Sequence, residues 1–169
     1  WQFGLVTNIT WLYYWTMGKL LHLNFLGLPD LVFLRLLNIP LAFGTAWFAV
    51  RLLRLLTNDR LTLLLLVVVM TNTRMFSFLS ASVSYDNLVN LLAAMAIYYL
   101  FAFFRNRSGG LLVATLLCQM AGSLTKVTFL PLILALGILL IIHEVKHLTA
   151  LPATIRHLFR TSPSRAGLA

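Results

Sequence analysis

Four ionisable side chains interrupt otherwise apolar stretches of this 169-residue chain: Arg35, Arg74, Asp86 and Lys126. A charge in a lipid-embedded helix costs about 2.5–3.5 kcal/mol on insertion scales, so each is a functional candidate. Asp86 lies in Ser80-Ala81-Ser82-Val83-Ser84-Tyr85-Asp86-Asn87, a small, polar string that runs directly into an apolar segment. Asp86 and Asn90 are four residues apart and share a helical face. Two compatible readings are open. Asp86 or Ser84 caps the helix by accepting backbone N–H bonds, or the carboxylate points into a cavity and orients an acceptor hydroxyl or a divalent metal. Lys126 lies in Gly122-Ser123-Leu124-Thr125-Lys126-Val127-Thr128. The small residues there permit close backbone approach, and a lysine is a compact cation suited to a phosphate oxygen. A helix starting at Val127 would add the favourable partial charge of its N-terminus. The alternative for Lys126, and equally for Arg74, is a side chain snorkelling to the interface. Arg35 lies one turn inside its apolar run and either pairs with Asp30 or joins the others.

The elements that must position these groups follow from composition. Hydrophobic residues make up 60% of the chain and charged residues 10%, and the mean hydropathy is +0.91. A soluble domain is about half apolar and a quarter charged, and a chain this short could not bury so much apolar surface. These values exclude an ordinary soluble enzyme, a disordered tail and a disulfide-stapled module. Thirteen Lys and Arg against four Asp and Glu give a net charge of +9. The basic residues fall between apolar runs, so membrane topology and anionic headgroups account for them, and no nucleic-acid partner is expected. Cys118 is the only cysteine, which excludes an intrachain disulfide and a cysteine-rich metal site. His143-Glu144-Val145-Lys146-His147 has the two histidines and the glutamate in the HExxH order of a zinc helix, but it falls on the cytoplasmic rim, where a solvated helix end is the simpler reading. Asn8-Ile9-Thr10 is a formal glycosylation sequon. No phosphate-binding glycine loop and no catalytic Ser/Cys–His arrangement is present.

The fold class expected is all-α, a polytopic transmembrane helix bundle of five spans with an N-terminal interfacial helix. Trp1, Phe3, Trp11, Tyr13, Tyr14 and Trp15 mark residues 1–30 as an external juxtamembrane segment, with a helix over 10–23 lying along the interface. The spans are 31–50, 61–82, 87–104, 109–124 and 127–142, and a basic cytoplasmic tail occupies 143–169. Arg51, Arg54 and Arg60, then Arg105 and Arg107, then Lys146, Arg156, Arg160 and Arg165 lie on alternate connections. Lys19, Arg35, Arg74 and Lys126 lie on the other side. The positive-inside rule therefore puts the amino end outside and the carboxyl end in the cytoplasm, with Arg74, Asp86 and Lys126 external. The start at Trp1 and the polar tail Thr161-Ser162-Pro163-Ser164-Arg165 read as the limits of a fragment.

Three pieces of this chain resemble a known family. Arg35-Leu36-Leu37-Asn38 resembles the opening of the second transmembrane helix of polyprenyl-phosphate-dependent GT-C glycosyltransferases. The string from Ser82 through Asp86 and Asn90 to Leu92 resembles their small, polar loop with an Asp before the fourth helix. Gly122-Ser123-Leu124-Thr125-Lys126 resembles their G-x-x-T-K turn between the fifth and sixth helices. The same pieces occur in related membrane proteins of unassigned activity. The branch most similar is that of protein mannosyltransferases and lipid A aminoarabinose transferases, over roughly residues 10–142. The resemblance implies an inverting glycosyl transfer from a polyprenyl-phosphate sugar at the external face of a bacterial inner membrane. Lys126 and Arg74 would hold the lipid phosphate, with Arg35, Asn90, Ser84 and Tyr85 as further substrate-binding residues. Asp86 would orient the acceptor or a divalent metal. No other cofactor is implied, and the partners are membrane lipid and the lipid-linked sugar. The family's first helix and the acidic motif after it have no counterpart here, so the chain reads as a partial module, inactive alone. A transporter or flippase for an anionic or lipid-linked substrate is the alternative, since charges at one side and a broken helix also suit an anion pathway.

Overall fold

The computed structural model describes residues 11–25 and 27–160. Every regular element among them is helical, as the composition requires. Trp1, Phe3, the Asn8 sequon and Arg165 lie outside the described residues. The chain divides into two units, one running to Ile133 and one from Leu134.

The first unit begins with α1, Leu12–Leu21. It turns Tyr13 and Met17 inward and leaves Trp11, Tyr14 and Trp15 exposed. Helix α2 spans Asp30–Leu56. Asp30 in its first turn complements the helix dipole, and Pro40 removes one N–H bond from its interior. Asp59 caps the next helix, α3, Arg60–Asn72, by accepting from the backbone N–H groups of Leu61 and Thr62. Those bonds, with one from the Thr62 hydroxyl, hold its carboxyl below the usual range.

The single span expected over 61–82 is two helices. Thr71, Asn72 and Thr73 each turn a side-chain donor back onto a carbonyl four residues earlier, Val67, Val68 and Val69, at 2.7–2.8 Å. Such side chains compete with the helical backbone and favour a break. The chain is extended at Thr73 and restarts as α4, Arg74–Ala81. Helix α5, Tyr85–Asn106, is capped by Ser84 and stops at Arg107 in the left-handed conformation. Helix α6 covers Gly109–Thr125. A 3₁₀ turn, Val127–Phe129, leads into α7, Leu130–Arg160.

Four pairs of neighbours orient the core. Asn38 faces Asn87, Gly44 faces Leu91, and Phe48 packs on Tyr98 and Tyr99. The numbers rise together, so α2 and α5 run parallel. Helix α6 returns against α5, bringing Lys126 back to Asp86. The carboxyl ends of α2 and α5 therefore lie at one end of this unit with Arg51, Arg54, Arg105 and Arg107, and Asp86 and Lys126 lie at the other.

Three segments are long and apolar enough to cross a membrane: Asp30–Leu56, Tyr85–Asn106 and Val127–Val145. Arg60–Asn72 and Gly109–Thr125 are apolar but shorter; the 13 residues of α3 rise only about 20 Å against a hydrocarbon core of about 30 Å. Large apolar side chains such as Leu61, Leu64, Val69, Leu117 and Met120 stay exposed on these helices. That is the surface of a membrane protein, whose solvent is acyl chain rather than water. In the second unit α7 continues as helix from Leu134, and His143 Nδ1 lies 3.5 Å from the adjacent Glu144 carboxylate. The Lys146, Arg156 and Arg160 positions belong to that unit.

Candidate functional site

Ser84 stands in extended conformation and its hydroxyl accepts the Asp86 backbone N–H at 3.1 Å. The cap of α5 is thus Ser84, and the Asp86 side chain is released for another partner. Lys126 Nζ lies 2.7 Å from Asp86 Oδ1, with the two side chains about one-third exposed, 29% and 33%. The Ser84 hydroxyl donates to Asp86 Oδ2 at 3.2 Å. The ammonium also stands 4.8 Å from the centre of the Tyr85 ring, a cation–π distance. Lys126 lies outside the long spans, and the Asp86 hydrogen bond raises its pKa above the ordinary lysine value. It is a permanent cation at neutral pH.

The backbone holds Lys126 there by a sharp joint. Its own conformation is extended, and its N–H bonds the Gly122 carbonyl at 2.9 Å. Phe129 folds back onto Gly122, so that a Cβ at 122 would meet the ring at 2.5 Å. Only glycine lets the ring lie there. Phe129 and Thr125 are buried beneath the joint.

A polar layer supports the Asp86 end of α5. Asn38 Oδ1 accepts from the Tyr13 hydroxyl at 3.2 Å and from Asn87 Nδ2 at 3.0 Å. Asn38 Nδ2 donates to the Leu34 carbonyl, and Asn87 Nδ2 also reaches the Ser82 carbonyl. Asn38 is completely buried. Burial pushes the Tyr13 hydroxyl above its usual pKa, with the Asn38 bond opposing. One layer thus fastens α1, α2 and α5, and Tyr14 sets its ring edge on Tyr85 at 6.2 Å. Sequence reasoning passed over Tyr13, Asn38 and Asn87 as a unit. The available signal was a pair of amides inside apolar runs, which bilayer helices use to bond across an interface.

The structure therefore brings Asp86, Lys126, Ser84 and Tyr85 together. Among the described residues no hydrogen bond or ion pair joins Asn90, Arg74 or Arg35 to them. Asn90 is exposed one turn further along α5, and Arg74 is exposed at the start of α4. Arg35 and Asp30 are both exposed, and among the described residues no ion pair joins them. Asp86 is also a poor metal ligand here. Among the described residues no three His, Cys, Asp or Glu side chains cluster, and both Asp86 oxygens are engaged. That donor set does not fit a divalent cation. Compared with protein-family models, curated proteins and solved structures, the chain matches none.

Proposed function

We propose that this chain is the phosphate-holding module of a membrane glycosyltransferase that moves a sugar from a polyprenyl-phosphate donor to an acceptor at the external face of the bilayer. The observation that carries the reading is the Asp86–Lys126 contact: 40 residues apart in sequence, the two groups meet part-exposed at one end of the bundle. Arginines crowd the opposite end, which the positive-inside rule assigns to the cytoplasm. The pair then faces outward, in a membrane such as the bacterial inner membrane.

In the transfer, the acceptor oxygen bonds to the anomeric carbon as the bond from that carbon to the phosphate oxygen breaks, with inversion. The electron pair of the broken bond stays on the phosphate, whose growing charge the Lys126 ammonium stabilises. The acceptor proton passes to a base that the family resemblance places in a loop with no counterpart here. Asp86 is accordingly an orienting group. The Lys126 ammonium is already paired with the Asp86 carboxylate, so the donor phosphate competes with Asp86 for its charge rather than meeting a free cation. Ser84 holds the Asp86 carboxylate, and Tyr85 holds the Lys126 ammonium that the phosphate must engage.

The test is release of polyprenyl phosphate from polyprenyl-phosphate sugars in membranes that contain this module joined to the transferase segment bearing the base. Asp86→Asn and Lys126→Ala should each lower turnover by about tenfold or more, the scale of one lost charge-assisted contact. Undiminished turnover in both variants contradicts the assignment.

A further inference from the structure

A second feature of the first unit lies on α2 away from the ion pair. Val32, Arg35, Leu36 and Ile39 fall three or four residues apart on one stripe of α2, and with Ser80 and Ala81 at the end of α4 they line a cleft of about 350 Å³. That volume lies within the range of small-molecule sites, about 300–1,000 Å³, and far exceeds the share of one water, about 30 Å³. The lining is apolar but for one guanidinium and one hydroxyl. The Ser80 hydroxyl spends its proton on the Ser77 carbonyl at 2.8 Å, so Arg35 is the only charged donor at the cleft. No acid lines it, and among the described residues none pairs with Arg35.

Arg35 is five residues past the start of α2 at Asp30, about 7.5 Å along the axis. A cation at that depth of a membrane-crossing helix needs an anion or water. Its planar fork suits a phosphate in a bidentate grip. The hydrophobic lining beside it suits a hydrocarbon chain.

We propose that this cleft binds one glycerophospholipid of net negative charge, its phosphate on Arg35 and an acyl chain along Val32, Leu36 and Ile39. The charge complementarity decides for an anionic headgroup over a zwitterionic one, which carries its own cation. The site is independent of Lys126 and of glycosyl transfer.

The experiment is native mass spectrometry of the full chain released from bilayers holding equal phosphatidylglycerol and phosphatidylcholine with identical acyl chains. The wild type should retain one phosphatidylglycerol in preference to phosphatidylcholine by about fivefold, the scale of one basic group at an anionic surface. Arg35→Ala should erase the preference, Arg35→Lys should keep part of it, and Ile39→Trp should reduce total lipid retention by filling the cleft. Lys126→Ala should change nothing, which separates this site from the transferase reading. Equal retention of the two lipids, or a preference that survives Arg35→Ala, overturns the proposal. Displacement of the lipid by glycerol phosphate alone would also overturn it, since the hydrocarbon chain would then contribute nothing. So would a resident polyprenyl phosphate that phosphatidylglycerol cannot replace.

Discussion

The Lys126 ammonium shares its charge between Asp86 Oδ1, at 2.7 Å, and the face of Tyr85, at 4.8 Å. Both neighbours are part-exposed, so the ion pair is expected to contribute about 1 kcal/mol or less to stability. A double-mutant cycle with Asp86→Asn and Lys126→Met should return a coupling of that size by thermal unfolding in lipid discs. Tyr85→Leu should remove about 0.5–1 kcal/mol of cation–π attraction and leave Lys126 less ordered. The pH dependence has a defined sign. Because Asp86 raises the folded lysine pKa, its contribution is complete below the unfolded value and fades only as pH climbs through the folded one. The stability difference between wild type and Lys126→Met should stay constant through neutral pH and shrink in the alkaline range. A difference that vanishes instead on mild acidification, with the lysine still charged, would show that the lysine pKa does not govern it.

At the scale of elements, two contacts hold the geometry. The joint between α6 and the 3₁₀ turn needs Gly122, because the Phe129 ring occupies the space of any Cβ there. Gly122→Ala should destabilise by about 1–3 kcal/mol through overpacking, and it should displace Lys126, read as loss of the Asp86 coupling. Gly44→Ala is milder, because the atom it meets is the far end of a Leu91 side chain. The Tyr13–Asn38–Asn87 layer is the second contact. Asn38→Leu strands two buried donors, at about 1–3 kcal/mol, or nearer 0.6 kcal/mol if membrane partners compensate. Adding Asn87→Leu should cost less than the sum of the two single changes.

The sequence carried these elements unevenly. Apolar runs located α2, α5 and the two helices around Lys126, because lipid demands apolar length above all else. The string before Asp86 marked a helix start, though which residue caps it depended on where the Asp86 carboxylate could find a cation. The break at Thr73 was hidden, since Thr71-Asn72-Thr73 is short and polar side chains in a span can bond backward without ending it. Asn90 shared a face with Asp86 by spacing, but spacing could not say which face meets α2; Asn87 does. Arg74 was placed with the site by sidedness and by the family resemblance, and it stands exposed at the start of α4.

At the largest scale, the parallel run of α2 and α5 sets the basic ends of the first unit opposite the ion pair, and the positive-inside rule then predicts that the pair faces outward. Sidedness is measurable with Cys118→Ala as the background, since Cys118 is buried. Tyr14→Cys on α1 and Arg105→Cys at the end of α5 are both exposed positions. An impermeant thiol reagent outside intact cells should label the first and not the second. Labelling of Arg105→Cys alone would invert the topology and put the ion pair in the cytoplasm.

Binding of a polyprenyl phosphate to the chain in phosphatidylcholine discs, followed by Trp11 and Trp15 fluorescence, bears most directly on Lys126 as the phosphate holder. Lys126→Ala should weaken binding about tenfold, near 1.4 kcal/mol. Asp86→Asn should tighten it, because the carboxylate that competes for the ammonium is gone. Binding that is unchanged by Lys126→Ala, or weakened by Asp86→Asn, would contradict the account.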